Sequence, residues 1–205
     1  MSIKEHGLLY WVVVGVLALL VASPFLSRVL VYPRTEFFTE LWILDANHRA
    51  EKYSFNIVRN QNYTVYLGVG NHLGYCAYYM VQVKFRNQTQ PAPTSFGPIE
   101  SRLPSSLPSL FNMTVFVADE QVLEIPITFS FNYTWDEQFS KVELLGLRLN
   151  GVWLNISDCK LSWDADKQVF RGFLFFELWL YNADTNSFKY HGRFVGLWFN
   201  MTLSV

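Results

Sequence analysis

Apolar and polar residues alternate with a period of two along most of the chain after residue 36. Residues 63–69 place Tyr63, Val65, Leu67 and Val69 on one side, and similar rows run through residues 127–135 and 197–203. This alternation is typical of strands that bury one face. Asn150-Gly151 lies between two such runs and predicts a two-residue hairpin turn. The pattern therefore predicts an all-β domain.

Turn residues and prolines suggest how the strands connect. We expect residues 70–74 to form a turn, with 75–85 as the returning strand, and residues 164–166 and 182–186 to form further hairpin loops. Residues 170–181 are apolar on both faces and predict a central strand. Residues 87–110 contain five prolines and predict an extended crossover between two sheets.

The first 34 residues follow a different pattern. Residues 8–32 are apolar apart from Arg28, and as a helix they would run roughly 37 Å, enough to cross a ~30 Å hydrocarbon core. A cleaved signal peptide is the alternative, with Val21-Ala22-Ser23 as the cleavage site, but Pro24 directly after the cut is unfavourable. We expect a cytoplasmic stub and transmembrane anchor in residues 1–34 and an extracytoplasmic domain in residues 35–205.

Six Asn-x-Ser/Thr sequons follow this apolar segment, whereas chance placement would give roughly two at this composition. Their asparagines are Asn62, Asn87, Asn112, Asn132, Asn155 and Asn200. Such sites receive glycans only on the extracytoplasmic side, on exposed backbone. The sequons therefore predict a single-pass protein of the cell membrane, with its amino terminus in the cytoplasm and N-linked glycans outside.

The sequons also obey strand geometry. Asn and Thr two residues apart point to the same face of a strand, and at 62, 112, 132 and 200 that face is opposite the apolar row. A glycan could be carried there without disturbing the core. Together with the alternation, this predicts an antiparallel β-sandwich with glycosylated outer faces.

Charge and cysteine content limit the chemistry. The net charge of −1 argues against nucleic acid as a partner, because nucleic acid needs a clustered basic surface. Cys76 and Cys159 are the two cysteines, and an oxidising exterior favours a disulfide between them. Two separate buried thiols are the alternative.

Several stretches resemble an archaeal membrane-protein family catalogued only as domain of unknown function 1616. They read TEFFTELWILD at 35–45, NYTVYLGVGNH at 62–72, EIPITF at 124–129 and KVELL at 141–145, with YHGR and LWFN near the end. The resemblance implies an Ig-like sandwich on the outer face of an archaeal membrane. Family members often have several amino-terminal spans where this chain has one, and residues 151–170 look like an added hairpin. The family has no established activity.

The sequence contains no pattern typical of a catalytic or cofactor site. The four histidines lie in separate segments without metal-ligand spacing, and neither a nucleophile elbow nor a phosphate-binding glycine loop occurs. We therefore expect no enzyme, no metal and no cofactor. Aromatic residues make up 18% of the chain. Trp153 and Trp198 are the best candidates for an aromatic contact surface, the alternative being that most aromatic rings fill the core.

Two functions are consistent with this sequence. The first is a membrane-anchored, Ig-like cell-surface module that acts in protein contacts, as an accessory subunit of a membrane complex or a component of the cell envelope. The second is an extracellular carbohydrate-binding module that uses an aromatic platform. Tryptophans exposed in a row would favour the second, and tryptophans buried between sheets would exclude it. A hydrolase would need carboxylates or histidines converging in a pocket.

Overall fold

The computed structural model describes residues 3–29, 36–136, 141–156, 159–167 and 169–202. The described chain contains one long helix, a short 3-10 turn at Ile99–Ser101 and eleven strands. These elements are α1 (Ile3–Val29), β1 (Phe38–Leu44), β2 (Asn56–Val58), β3 (Tyr63–His72), β4 (Ala77–Arg86), β5 (Phe111–Val117), β6 (Gln121–Asp136), β7 (Lys141–Leu149), β8 (Val152–Asn155), β9 (Lys160–Asp164), β10 (Val169–Asn182) and β11 (Ser187–Thr202). The predicted all-β character of the domain after residue 36 is confirmed.

The chain divides into two compact units, Met1–Phe37 and Phe38–Val205. The first unit contains α1, and the predicted boundary between residues 34 and 35 lies outside the described residues. Residues 30–32 of the predicted anchor lie outside them as well. In the part of the chain that the structure describes, no helix is both long and apolar enough to cross a membrane. The predicted transmembrane span is therefore not confirmed.

The eleven strands form one continuous sheet in which two half-sheets can be distinguished. The first half-sheet contains β1, β3, β6, β7 and β8, and the second contains β2, β4, β5, β10 and β11. The short strand β9 pairs with β7 on one side and β10 on the other, so it joins the two halves. All pairings are antiparallel except that of β2 with β11.

Aromatic rings from both half-sheets meet in one core. Phe129 of β6 lies 5.1 Å from Phe199 of β11, and Phe131 of β6 lies 5.4 Å from Phe85 of β4, measured between ring centroids. All four are at most 6% exposed. The alternation of each strand therefore supplies the core with its inward row, which includes these buried aromatic rings.

The turn chemistry behaves as predicted at three hairpins. Asn150 and Gly151 have φ of 47° and 85°, the pair of positive angles that a type I′ turn requires, and they join β7 to β8. The predicted loop at 164–166 falls in the connection from β9 to β10, and the predicted loop at 182–186 falls in the connection from β10 to β11. The predicted central strand is β10, which pairs with β11 on one side and with β4 and β9 on the other.

Two predicted connections are wrong. β3 and β4 follow each other in sequence but do not pair, because β3 lies between β1 and β6 whereas β4 lies between β10 and β5. The proline-rich residues 87–110, which we call the strap, were expected to cross between sheets. The strap instead joins β4 to β5, which are antiparallel neighbours in the same half-sheet.

A buried ion pair fixes the strap to the sheet. Lys84 of β4 and Glu177 of β10 are 3% and 0% exposed, and Lys84 Nζ lies 2.8 Å from Glu177 Oε2. Lys84 also donates a hydrogen bond to the carbonyl of Ser105 in the strap, and the Ser105 N–H donates to Glu177 Oε1. Both charges are thus paired and hydrogen-bonded, which is the condition for burying them.

The predicted disulfide between Cys76 and Cys159 is absent, because both cysteines are free. Cys76 is exposed and directly precedes β4, whereas Cys159 is buried and lines a cavity together with Phe85 near the other end of that strand. At about 3.3 Å per residue, Cys76 and Phe85 are roughly 30 Å apart. A disulfide needs Cα atoms about 5–6 Å apart, so the two thiols cannot meet in this fold.

Candidate functional site

β1 is an edge strand with an open side. Among the described residues, β1 pairs with β3 alone. The carbonyl of Asn71, the β3 partner of Thr39, accepts a hydrogen bond from the turn before β6, so the backbone of Asn71 faces β6. In an antiparallel ladder, Thr39 and Leu41 must then direct their N–H and C=O groups away from β3. Ile43 follows the same rule, since its carbonyl accepts a hydrogen bond of 2.8 Å from the Tyr53 hydroxyl.

A cavity of about 700 Å³ lies along this open side. Its lining comes from β1, from the strap and from β11, and consists of Thr39, Glu40, Leu41, Trp42, Ser95, Arg102, Arg193 and Phe194. β11 is also incompletely paired here, because β2 covers only Asn200 to Thr202 of its outer side. The β1–β11 cleft therefore lies between two strand edges that no described strand covers.

Two arginines give the cleft a positive charge. Arg102 of the strap donates hydrogen bonds to the carbonyls of Gly97 and Gly192, and Arg193 of β11 donates one to the carbonyl of His191. Neither guanidinium forms a salt bridge with any residue that the structure describes. Burial, and then the charge of Arg102, lower the pKa of Arg193. The cleft thus holds two like charges without a described carboxylate partner.

A buried polar chain closes one end of the cleft. His191 Nε2 lies 2.9 Å from Thr39 Oγ1, which lies 3.0 Å from the Tyr79 hydroxyl, and this hydroxyl lies 3.1 Å from Asn71 Oδ1. Burial raises the pKa of Tyr79, and burial together with the charge of Arg193 lowers the pKa of His191 to about 4. At neutral pH His191 is uncharged, so the network contributes neutral hydrogen bonds and no counter-charge for the arginines.

The outer side of the cleft is shaped by Trp42 and its neighbours. A Cβ at Gly68 would lie 2.1 Å from the Trp42 indole, so the absence of a side chain lets the ring lie against β3. Glu40 Oε2 lies 3.6 Å from Nε2 of His72, whose Nδ1 is 2.8 Å from Glu120 Oε2. Glu40 is the acid among the lining residues, and its described ionic contact is with this histidine and not with either arginine. Through its contact with Glu120, His72 joins β3 to the turn before β6.

The six sequon asparagines are exposed or partly exposed. Asn132 and Asn200 alternate with buried aromatic or apolar neighbours on β6 and β11, which is the outward placement predicted for strand-borne sequons. Asn62 and Asn112 are exposed, while the Asn87 side chain caps its own turn and also donates to the carbonyl of Lys160. Asn155 is exposed, but Ser157 of its sequon lies outside the described residues.

The predicted aromatic pair is divided between two environments. Trp153 of β8 is 47% exposed and lies over Gly146 of β7, where a Cβ would meet the indole at 2.3 Å. Trp198 of β11 has the guanidinium groups of Arg86 and Arg171 at 5.2 and 4.8 Å from its ring. These two guanidinium groups therefore occupy the space beside the Trp198 ring in which a ligand would stack.

A different aromatic row crosses the second half-sheet and was missed in the sequence. It consists of Phe116, Tyr78, Tyr181 and Phe188, from four neighbouring strands, with ring-centroid distances of 4.1, 5.7 and 5.3 Å. Phe116 is 70% exposed. Phe116 and Tyr78 stack face to face at 11°, so their flat faces cover each other and the row does not form an open platform. Only strand pairing brings these residues together, and no local motif marks them.

Within the described residues, no three His, Cys, Asp or Glu side chains come together in a group that could hold a metal ion. No protein-family model matches the sequence, and no curated protein matches it. The resemblance to the uncharacterised archaeal family therefore stays a prediction.

Proposed function

We propose that this chain is a membrane-anchored cell-surface module with an Ig-like sandwich domain that acts in protein contacts. In this proposal it is an accessory subunit of a membrane complex or a component of the cell envelope, with its amino terminus in the cytoplasm. The single observation that carries the contact role is the open edge of β1 beside a cavity of about 700 Å³. Unpaired strand edges are ready templates for a segment of another chain, and natural proteins usually protect them.

Location is supported by separate features. Residues 8–32 are largely apolar with a single charge, Arg28, and six sequons follow them. Each sequon asparagine is accessible in part or in full, so a glycan can be carried without displacing a core residue. The resemblance to the archaeal family supports the same place and the same sandwich. These features support N-linked glycans and the lipid bilayer as partners.

The contact role is tested in native membranes with a photo-crosslinking side chain in place of Ser95, which is exposed and lines the cleft. The matched control carries the same group in place of Asp166, an exposed residue of the loop after β9. We expect one protein to be captured in stoichiometric amount from position 95 and not from position 166. Equal capture from both positions, or none from position 95 in intact cells, contradicts the contact role of this cleft.

A carbohydrate-binding module is the second candidate, and one observation favours it. The Trp153 indole rests on Gly146 with nearly half of its surface exposed, an arrangement that can present a ring face to a sugar. A glycan array probed with the full-length protein and with its Trp153→Ala variant tests this. Binding that disappears in the variant would support carbohydrate recognition in place of the protein-contact role.

A further inference from the structure

We propose that the β1–β11 cleft binds an extended acidic peptide segment of a partner protein, which pairs with β1 as an added strand. This inference rests on the proposed function, because it names the chemistry of the partner for the same cleft. Two features that occur together favour a peptide as the occupant: an open strand edge, and two arginines that form no salt bridge with any described residue.

The backbone geometry favours a strand as the occupant. Thr39 and Leu41 direct their N–H and C=O groups away from β3, and alternate residues of a strand are about 6.8 Å apart. An antiparallel or parallel segment can satisfy both pairs of groups with main-chain hydrogen bonds alone. The Tyr53 hydroxyl already donates a hydrogen bond to the carbonyl of Ile43, so the unpaired part of the β1 edge ends at that residue. The added strand would thus cover the amino-terminal half of β1.

The arginines supply the preference for acidic side chains. Arg102 and Arg193 line the same cleft, and burial, followed by the charge of Arg102, disfavours the charged form of Arg193. Two like charges in a partly buried cleft repel each other, and a carboxylate between them relieves this repulsion. A guanidinium binds a carboxylate through two parallel hydrogen bonds, which gives direction as well as attraction. An acidic residue in the added strand therefore matches the cleft.

The cleft is also wide enough for side chains of the incoming strand. Its volume of about 700 Å³ lies within the range of ligand pockets. Leu41 and Phe194 line the cleft together with the two arginines, so the side chains of an inserted strand would meet both apolar and cationic groups. We therefore expect acidic and apolar residues to alternate in the partner segment.

The test measures fluorescence anisotropy of labelled eight-residue peptides with the full-length protein in detergent micelles. One peptide alternates valine with glutamate, a second replaces every glutamate by glutamine, and a third is the glutamate peptide with N-methyl groups along one edge. We expect the glutamate peptide to bind about tenfold more tightly than the glutamine peptide, since a hydrogen bond to a charged group contributes more than a neutral one. We expect the N-methylated peptide not to bind.

The protein variant is Arg102→Gln/Arg193→Gln, with Arg148→Gln on the exposed outer face of β7 as the matched control. The double variant should bind the glutamate and glutamine peptides equally, and the control should keep the tenfold preference. An unchanged urea midpoint shows that the double variant is folded.

Three results would overturn the inference. Equal affinity of the native protein for the glutamate and glutamine peptides removes the acidic preference. Undiminished binding of the N-methylated peptide shows attraction by charge without strand pairing. Absence of binding by every peptide rejects the occupant altogether. Site-specific capture from position 95 would in each case leave the contact role standing, so failure of the inference and failure of the proposed function are distinguishable.

Discussion

Removal of the Lys84 charge tests how the strap is held on the second half-sheet. In the native protein, Lys84 Nζ and Glu177 Oε2 are 2.8 Å apart, and the two residues are 3% and 0% exposed. With an effective dielectric constant of 20, their attraction is about 6 kcal/mol, which offsets the several kcal/mol needed to desolvate the two ions. Lys84→Met removes the attraction and leaves the Glu177 carboxylate buried with only the Ser105 N–H as a donor.

The expected loss in the free energy of unfolding is about 3–5 kcal/mol, the range found when one partner of a buried pair is removed. A second substitution tests whether the unpaired charge of Glu177 causes this loss. Glu177→Gln removes the negative charge but keeps an oxygen that accepts from the Ser105 N–H. Added to Lys84→Met, it should restore about 2 kcal/mol, because the amide costs less to bury than an unpaired carboxylate.

Urea unfolding of the full-length protein, followed by tryptophan fluorescence, measures both changes. The informative result is whether adding Glu177→Gln to the Lys84→Met protein raises or lowers the free energy of unfolding. If Glu177→Gln destabilises the Lys84→Met protein further, the buried charge is not the cause of the first loss. If Lys84→Met alone costs less than about 1 kcal/mol, the pair is solvated in solution and the strap is not fixed by it.

Three further predictions concern other parts of the domain. The pKa of His191 is about 4 in the folded protein against about 6.5 when unfolded, so its contribution is fully present above pH 6.5 and is lost as the pH falls toward 4. Stability should fall by about 3 kcal/mol across that window, and His191→Gln should flatten the profile; an equal slope in the variant would assign it to other groups. A maleimide reagent should label only Cys76 in the native protein and both cysteines after denaturation, because Cys159 is buried and burial raises its pKa to about 11; a disulfide detected by mass spectrometry would refute this. Gly146→Ala should cost about 1–3 kcal/mol and shift tryptophan emission, since the new Cβ lies 2.3 Å from the Trp153 ring, whereas Gly15→Ala has open space and should leave the domain unchanged.

The buried face of each strand was easier to predict from the sequence than the strand with which it pairs. The alternation at residues 63–69 and 127–135 identified inward rows correctly, because a period of two fixes which side of a strand is buried. The Asn150-Gly151 hairpin was also predictable, since both residues tolerate the positive φ that the turn demands. Alternation does not specify the partner strand, and this is why β3 and β4 were wrongly expected to pair.

The candidate site could not be read from the sequence for the same reason. Thr39, Arg102 and Arg193 are each more than 60 residues from the next and belong to no motif. Their meeting depends on which edges remain open after all strands have paired, a property of the whole topology. The disulfide prediction failed similarly, because compartment and cysteine count carry no information on the distance between Cys76 and Cys159.

The long sequence separation across the cleft has a consequence for the order of folding. The hydrogen bond between His191 and Thr39 joins residues 152 positions apart, whereas the β10–β11 hairpin closes through a loop of only a few residues. The entropy of closing a loop grows with its length, so contacts between the two ends of the domain should form after the hairpins. The same contacts should open first in the native state, and amide hydrogen exchange should be faster along β1 than along the central β10. The side of the domain that carries the cleft would then also be its most readily opened side.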